Sequence, residues 1–89
     1  MIGIPEHTKN RFLVRIDNVE VEVSGYEMLH SEAAEEAALQ RWKWLHNNLD
    51  SIDLVERSGD WLIYQIRYTL PEGQPKPNSA RVAVCKLQA

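Results

Sequence analysis

Seven acidic residues, Asp17, Glu20, Glu22, Glu27, Glu32, Glu35 and Glu36, fall within positions 17–36 with no lysine or arginine among them. Carboxylates this dense serve two kinds of chemistry: proton transfer inside a desolvated cleft, or attraction of a cationic partner. The first needs walls that exclude water around a pair such as Glu20 and Glu22, or Glu32 and Glu36. The surrounding pattern places Glu20 and Glu22 on the outer side of a strand, and Glu32, Glu35 and Glu36 near the start of a helix. There they complement the helix dipole and keep an edge strand soluble. Together they also present a negative surface to a basic partner. The far end of the chain has the opposite sign: residues 61–89 carry Arg67, Lys76, Arg81 and Lys86 against Glu72, which is 4 − 1 = +3.

The remaining reactive side chains form no set. His7, His30 and His46 stand 23 and 16 residues apart, and Cys85 is the single cysteine. No zinc spacing and no disulfide arise from them. Cys85 lies in a Val/Ala/Leu stretch and reads as a small buried hydrophobe rather than a nucleophile. No nucleophile elbow surrounds Ser31, which reads as a helix cap, and the isolated glycines make no phosphate loop. The expectation is a non-enzymatic protein with no cofactor and no metal. The tryptophans are more informative. Trp42 falls on the core stripe of the helix, while Trp44, about 200° further round, and Trp61 are candidate interface anchors. The alternative for Trp44 is a place under a loop or against the flank at Ala33 and Ala37.

The elements that would position these groups follow from periodicity. Phe12, Val14 and Ile16 alternate with polar neighbours, then Val19, Val21 and Val23 do so after Asp17-Asn18. A two-residue turn there pairs Ile16 with Val19, Val14 with Val21 and Phe12 with Val23, all on one face. Residues 31–48 read as the one helix, with Ala34, Ala38, Trp42, Leu45 and Leu49 on its buried stripe and Asn47-Asn48 at its exit. Strands are predicted from Ile52 to Arg57, from Trp61 to Leu70 and from Ala80 to Leu87, with a turn at Ser58-Gly59-Asp60. Leu62, Tyr64, Ile66, Tyr68 and Leu70 share one face of an inner strand. The segment Pro71 to Ser79, rich in proline, reads as an extended loop, either a connector or a docking element. The order β-β-α-β-β-β implies an α+β fold: a single antiparallel sheet of about five strands with one helix packed on one face.

Size and composition bound the rest. The chain has 89 residues, 44% apolar and 26% charged, with a formal charge of −3. One small globular domain over residues 1–89 is expected, since a second core would need more chain. The apolar run Trp61-Leu62-Ile63-Tyr64 is far short of the ~20 residues that span a bilayer, and no signal peptide is evident at the start. No membrane partner is expected, and a lone cysteine fits a reducing cytoplasm.

The functional expectation is a small protein-binding module. Its candidate partner-binding residues are Glu20, Glu22, Glu27, Glu32, Glu35, Glu36, Trp44 and Trp61, and its partner a protein with a basic surface that ordinarily holds nucleic acid. In size and acidity the chain is similar in type to phage and mobile-element inhibitors of bacterial defence systems, anti-CRISPR proteins among them, with no shared motif. A less favoured alternative is nucleic-acid binding by Arg67, Lys76, Arg81 and Lys86 with Trp61, Tyr64 or Tyr68 for stacking, because the acidic half repels the same polyanion. A homodimer through edge strands, either the first hairpin or the last strand, is compatible with both.

Overall fold

The first hairpin forms in the register that the apolar alternation dictates. In a computed structural model that describes residues 9–69 and 77–87, β1 (Lys9–Ile16) and β2 (Val19–Tyr26) pair antiparallel. Ile16 stands opposite Val19, Val14 opposite Val21 and Phe12 opposite Val23. The turn between them closes in two residues because Asp17 and Asn18 take φ of 54° and 63°. That is the left-handed pair of a type I′ turn, which Asp and Asn tolerate better than other residues with a Cβ.

Helix α1 (His30–Arg41) is shorter than the predicted 31–48. The chain leaves the helix at Trp42, with φ −126° and ψ 95°, and continues as a short 3-10 helix over Lys43–Asn47. The break has a packing cause. In one continuous helix Trp42 and Trp44 would point to opposite sides, whereas here both rings join one cluster and Leu45 becomes fully buried. The start also differs: Leu29, not Ser31, is the N-cap, and its side chain caps nothing. Glu32 reaches back from the first turn and accepts a 2.8 Å hydrogen bond from the Leu29 N–H, half of a capping box.

Three strands follow: β3 (Leu49–Ser58), β4 (Trp61–Thr69) and β5 (Pro77–Leu87). Leu49 therefore opens a strand instead of closing the helix stripe, and β3 starts before Ile52. The last strand likewise starts at Pro77 instead of Ala80, a proline at a first strand position forfeiting no interior ladder bond. Residues 71–76 of the predicted loop lie outside the described residues, as does Leu70. Gly59, with φ +61°, turns the β3–β4 hairpin.

All neighbouring strands run antiparallel in the order β2-β1-β5-β4-β3. Since β2 and β3 are the two edges, α1 bridges from one edge of the sheet to the other, and β5 closes the centre. The architecture is the α+β fold the sequence implies, one five-stranded sheet with a single α-helix on one face. Phe12, Val14, Ile16, Val23, Tyr64, Ile66, Val82 and Val84 face Ala33, Ala34, Ala37, Ala38 and Leu45 in the core. Four alanines let the helix backbone approach the sheet closely, so the interface has no room for bulk.

Ala38→Leu is expected to lower stability by about 1–3 kcal/mol through overpacking, read as a shift in the urea midpoint. Leu29→Ser is expected to act in the other direction. Leu29 is 61% exposed, and a serine there caps the helix for a gain of roughly 0.5–1.5 kcal/mol, measurable in the same denaturation series.

Candidate protein-binding surface

The sheet separates the acidic residues into two groups. Side chains alternate across each strand, so Glu20 and Glu22 project from the face opposite α1, while Glu32, Glu35 and Glu36 ride on the helix side. The strand acids are also compensated. Arg15 donates to Glu20 at 2.6 Å directly across the β1–β2 register, and Arg11 to Glu22 at 2.7 Å on the diagonal. The Arg11 hydrogen bond holds the Glu22 carboxyl below the ordinary carboxylate range, and Glu22 in turn raises the Arg11 guanidinium. Asp17 is joined to Arg41 at 2.9 Å. Exposed pairs like these contribute little stability, about 0–1 kcal/mol each, but they offset part of the local charge. Sequence spacing missed them because the arginines lie outside the acidic run.

The helix acids are different. Among the described residues no cation pairs with Glu32, Glu35 or Glu36. Glu32 accepts from the Leu29 N–H and Glu36 from the Gln40 side chain at 2.9 Å. The three border a groove of about 370 Å³ whose other walls are Tyr26, Met28 and Leu39. Glu36 and Leu39 also border a neighbouring groove of about 410 Å³ with Gln40, Lys43 and His46. Tyr26 is 68% exposed at the rim. Glu27 turns the chain between β2 and α1 with φ 55° and is exposed. Unpaired carboxylates thus adjoin apolar surface, the combination that holds a segment carrying both cations and apolar side chains.

Neither tryptophan singled out as an anchor stands free. Trp44 stacks on Trp42, with centroids 6.2 Å apart, and meets Tyr68 edge-on at 5.2 Å. It is half-buried and packs against the core cluster, to which Ala33 and Ala37 belong. Trp61 lies on the open sheet face, with the Arg15 guanidinium 4.8 Å from its ring centroid. Arg15 reaches it across β5, where Ala83 and Cys85 are small. Leu13, Ile63 and these two residues complete a half-buried apolar centre on that face. The stacking candidates Tyr64 and Tyr68 are absorbed by the fold: Tyr64 is buried in the core and Tyr68 packs on Trp42 and Trp44. Arg81 reaches Glu56 at 3.4 Å.

Cys85 and His30 occupy opposite faces of the sheet. Cys85 is half-buried on the open face rather than fully buried, and His30 sits edge-on to Phe12 at 4.9 Å on the helix side. His7 lies outside the described residues, and His46 is exposed on the 3-10 helix. Among the described residues no group of three His, Cys, Asp or Glu side chains is placed to hold a metal ion, and no helix is long and apolar enough to cross a membrane. No protein-family model matches the chain, and no curated protein or solved structure resembles it significantly.

Burial lowers the proton affinity of His30, with the nearby positive charges of Lys86 and Arg57 acting in the same direction. As pH falls, the unfolded chain therefore takes up this proton before the folded one, and stability drops. Between pH ~7 and ~5 the thermal midpoint of the natural protein is expected to fall more steeply than that of His30→Gln. Equal slopes would remove His30 as the source.

Proposed function

We propose that this chain is a non-catalytic protein-binding domain whose acidic helix flank takes a basic surface of a partner protein. One observation carries the reading: among the described residues Glu32, Glu35 and Glu36 pair with no cation beside Tyr26, Met28 and Leu39, while Asp17, Glu20 and Glu22 are matched by arginines. Carboxylates without cations next to exposed apolar surface make a directional electrostatic site, one that steers encounter and fixes orientation. A basic protein surface of this complementarity is also the kind that holds a phosphate backbone. Occupying it excludes nucleic acid, so the domain acts as an inhibitor by competition. The role proposed is similar in type to that of small acidic phage and mobile-element inhibitors of bacterial defence systems, anti-CRISPR proteins among them. A reducing cytoplasm suits the unpaired thiol of Cys85.

The test separates the two acidic groups. Immobilised protein is incubated with nuclease-treated bacterial lysate beside two variants, Glu32→Gln/Glu35→Gln/Glu36→Gln and Glu20→Gln/Glu22→Gln. A stoichiometric partner whose affinity falls at least tenfold in the helix variant, and which oligonucleotide displaces, is the expected result. Retention of the same partner at unchanged affinity by the helix variant would overturn the reading.

A further inference from the structure

Among the described residues the outer rim of β2 is a sheet edge that lies between the two acidic groups, where a single partner segment can touch both. A two-residue hairpin makes Ile16 and Val19 a mutually hydrogen-bonded pair, and every second pair after it is bonded likewise. Val19, Val21 and Val23 therefore bond to β1, and the N–H and C=O groups of Glu20, Glu22 and Ser24 point outward from the sheet edge. The rim is regular: all eight β1–β2 pairs are consecutive, whereas the opposite edge, β3, is interrupted by register shifts at Leu49/Ser51 and Leu54/Glu56. A regular edge accepts another strand and an irregular one resists it.

The space beside the rim is mainly apolar on the helix side. A hollow of about 250 Å³ lies between β2 and α1, lined by Ile16, Val19, Val21, Ala37, Gln40 and Arg41. A strand laid along β2 would turn alternate side chains toward this hollow and the intervening ones toward Glu20 and Glu22. Those two carboxylates are 46% exposed even while paired, so they can accept a second donor each. The register also speaks against a second copy as occupant. Antiparallel self-pairing centred on β2 sets Glu20 and Glu22 of two chains within one or two residues of each other, and like charges opposed in this way are destabilising.

We infer that the edge of β2 is a strand-accepting site, and that its occupant is an extended partner segment alternating basic and apolar residues. This rests on the reading above of a basic partner and names how that partner engages. Main-chain hydrogen bonds to Glu20, Glu22 and Ser24 supply affinity, and the alternation supplies specificity. The helix acids attract the flanking basic residues.

The probe is a blocked octapeptide alternating lysine and valine, compared by fluorescence anisotropy with two versions N-methylated at either the lysine or the valine amides. An added strand bonds through one alternate set only, whichever direction it runs. One methylated peptide should bind at least tenfold more weakly than the parent, and the other within threefold. Ser24→Pro, which removes an outward N–H without touching the β1 ladder, should weaken the parent peptide at least tenfold while the thermal midpoint shows the fold intact. Equal binding of both methylated peptides would overturn strand addition and leave the acidic-surface reading standing. No binding of any peptide at millimolar concentration would overturn the inference, with the reading above judged separately by its helix variant. A dimer seen by sedimentation equilibrium and lost in Ser24→Pro would give the edge to a second copy and overturn the proposed occupant.

Discussion

The close seating of α1 on the sheet is the constraint from which the other features descend. Ala33, Ala34, Ala37 and Ala38 are all but completely buried, and nothing larger fits between the helix backbone and the strands. One helix across one face leaves the other face to water. Its connections reach from β2 at one edge to β3 at the other, so β5 must enter between β1 and β4. The central strand then carries Val82 and Val84 toward the helix, but small residues, Ala83 and Cys85, on the uncovered side. A fully apolar β5 would have exposed a sticky centre.

Charge on the open face complements that arrangement. Arginines stand on the inner strands, at positions 11, 15, 67 and 81, and the acids that answer Arg11, Arg15 and Arg81, namely Glu22, Glu20 and Glu56, stand on the two edge strands. Arg15 shows the logic most clearly. It holds Glu20 on one side and covers Trp61 on the other, crossing β5 over residues too small to obstruct it. The planar guanidinium suits both contacts at once, in-plane toward the carboxylate and face-on to the indole. An apolar centre is thereby shielded by side chains already held in ion pairs. The helix acids have no such answer: among the described residues no arginine of the sheet pairs with them.

What the sequence made legible follows the range of the interactions involved. Strict alternation from Phe12 to Val23 determines the hairpin register, since a slip of one residue would turn every valine outward. The turn at Asp17-Asn18 and the inward face of β4 are equally local. The end of the helix was not legible, because apolar spacing through Trp42, Leu45 and Leu49 continues a helical stripe while the real determinant is a long-range meeting of Trp42 and Trp44 with Tyr68. The helix start was obscured similarly: Ser31 is the better cap by residue type, yet Glu32 serves Leu29 from inside the helix. The acidic run misled for the same reason. Counted along the chain it contains no cation, but in the sheet Arg11 and Arg15 of the preceding strand are its immediate neighbours.

The two sheet edges are protected by different means, and the difference has consequences for recognition. β3 is broken by irregular pairing, a geometric defence that turns away any incoming strand, even though Leu54 and Val55 are each 43% exposed along it. β2 keeps an unbroken ladder and relies on Glu20 and Glu22 alone. Charge, unlike a bulge, discriminates: it repels a second copy of the same acidic edge and favours a cationic strand. The arginines of β1 sharpen this selectivity by orienting both carboxylates, and Arg11 also lowers the proton affinity of Glu22. An edge protected by geometry can only be closed, whereas an edge protected by charge can be opened by a partner with the right sign.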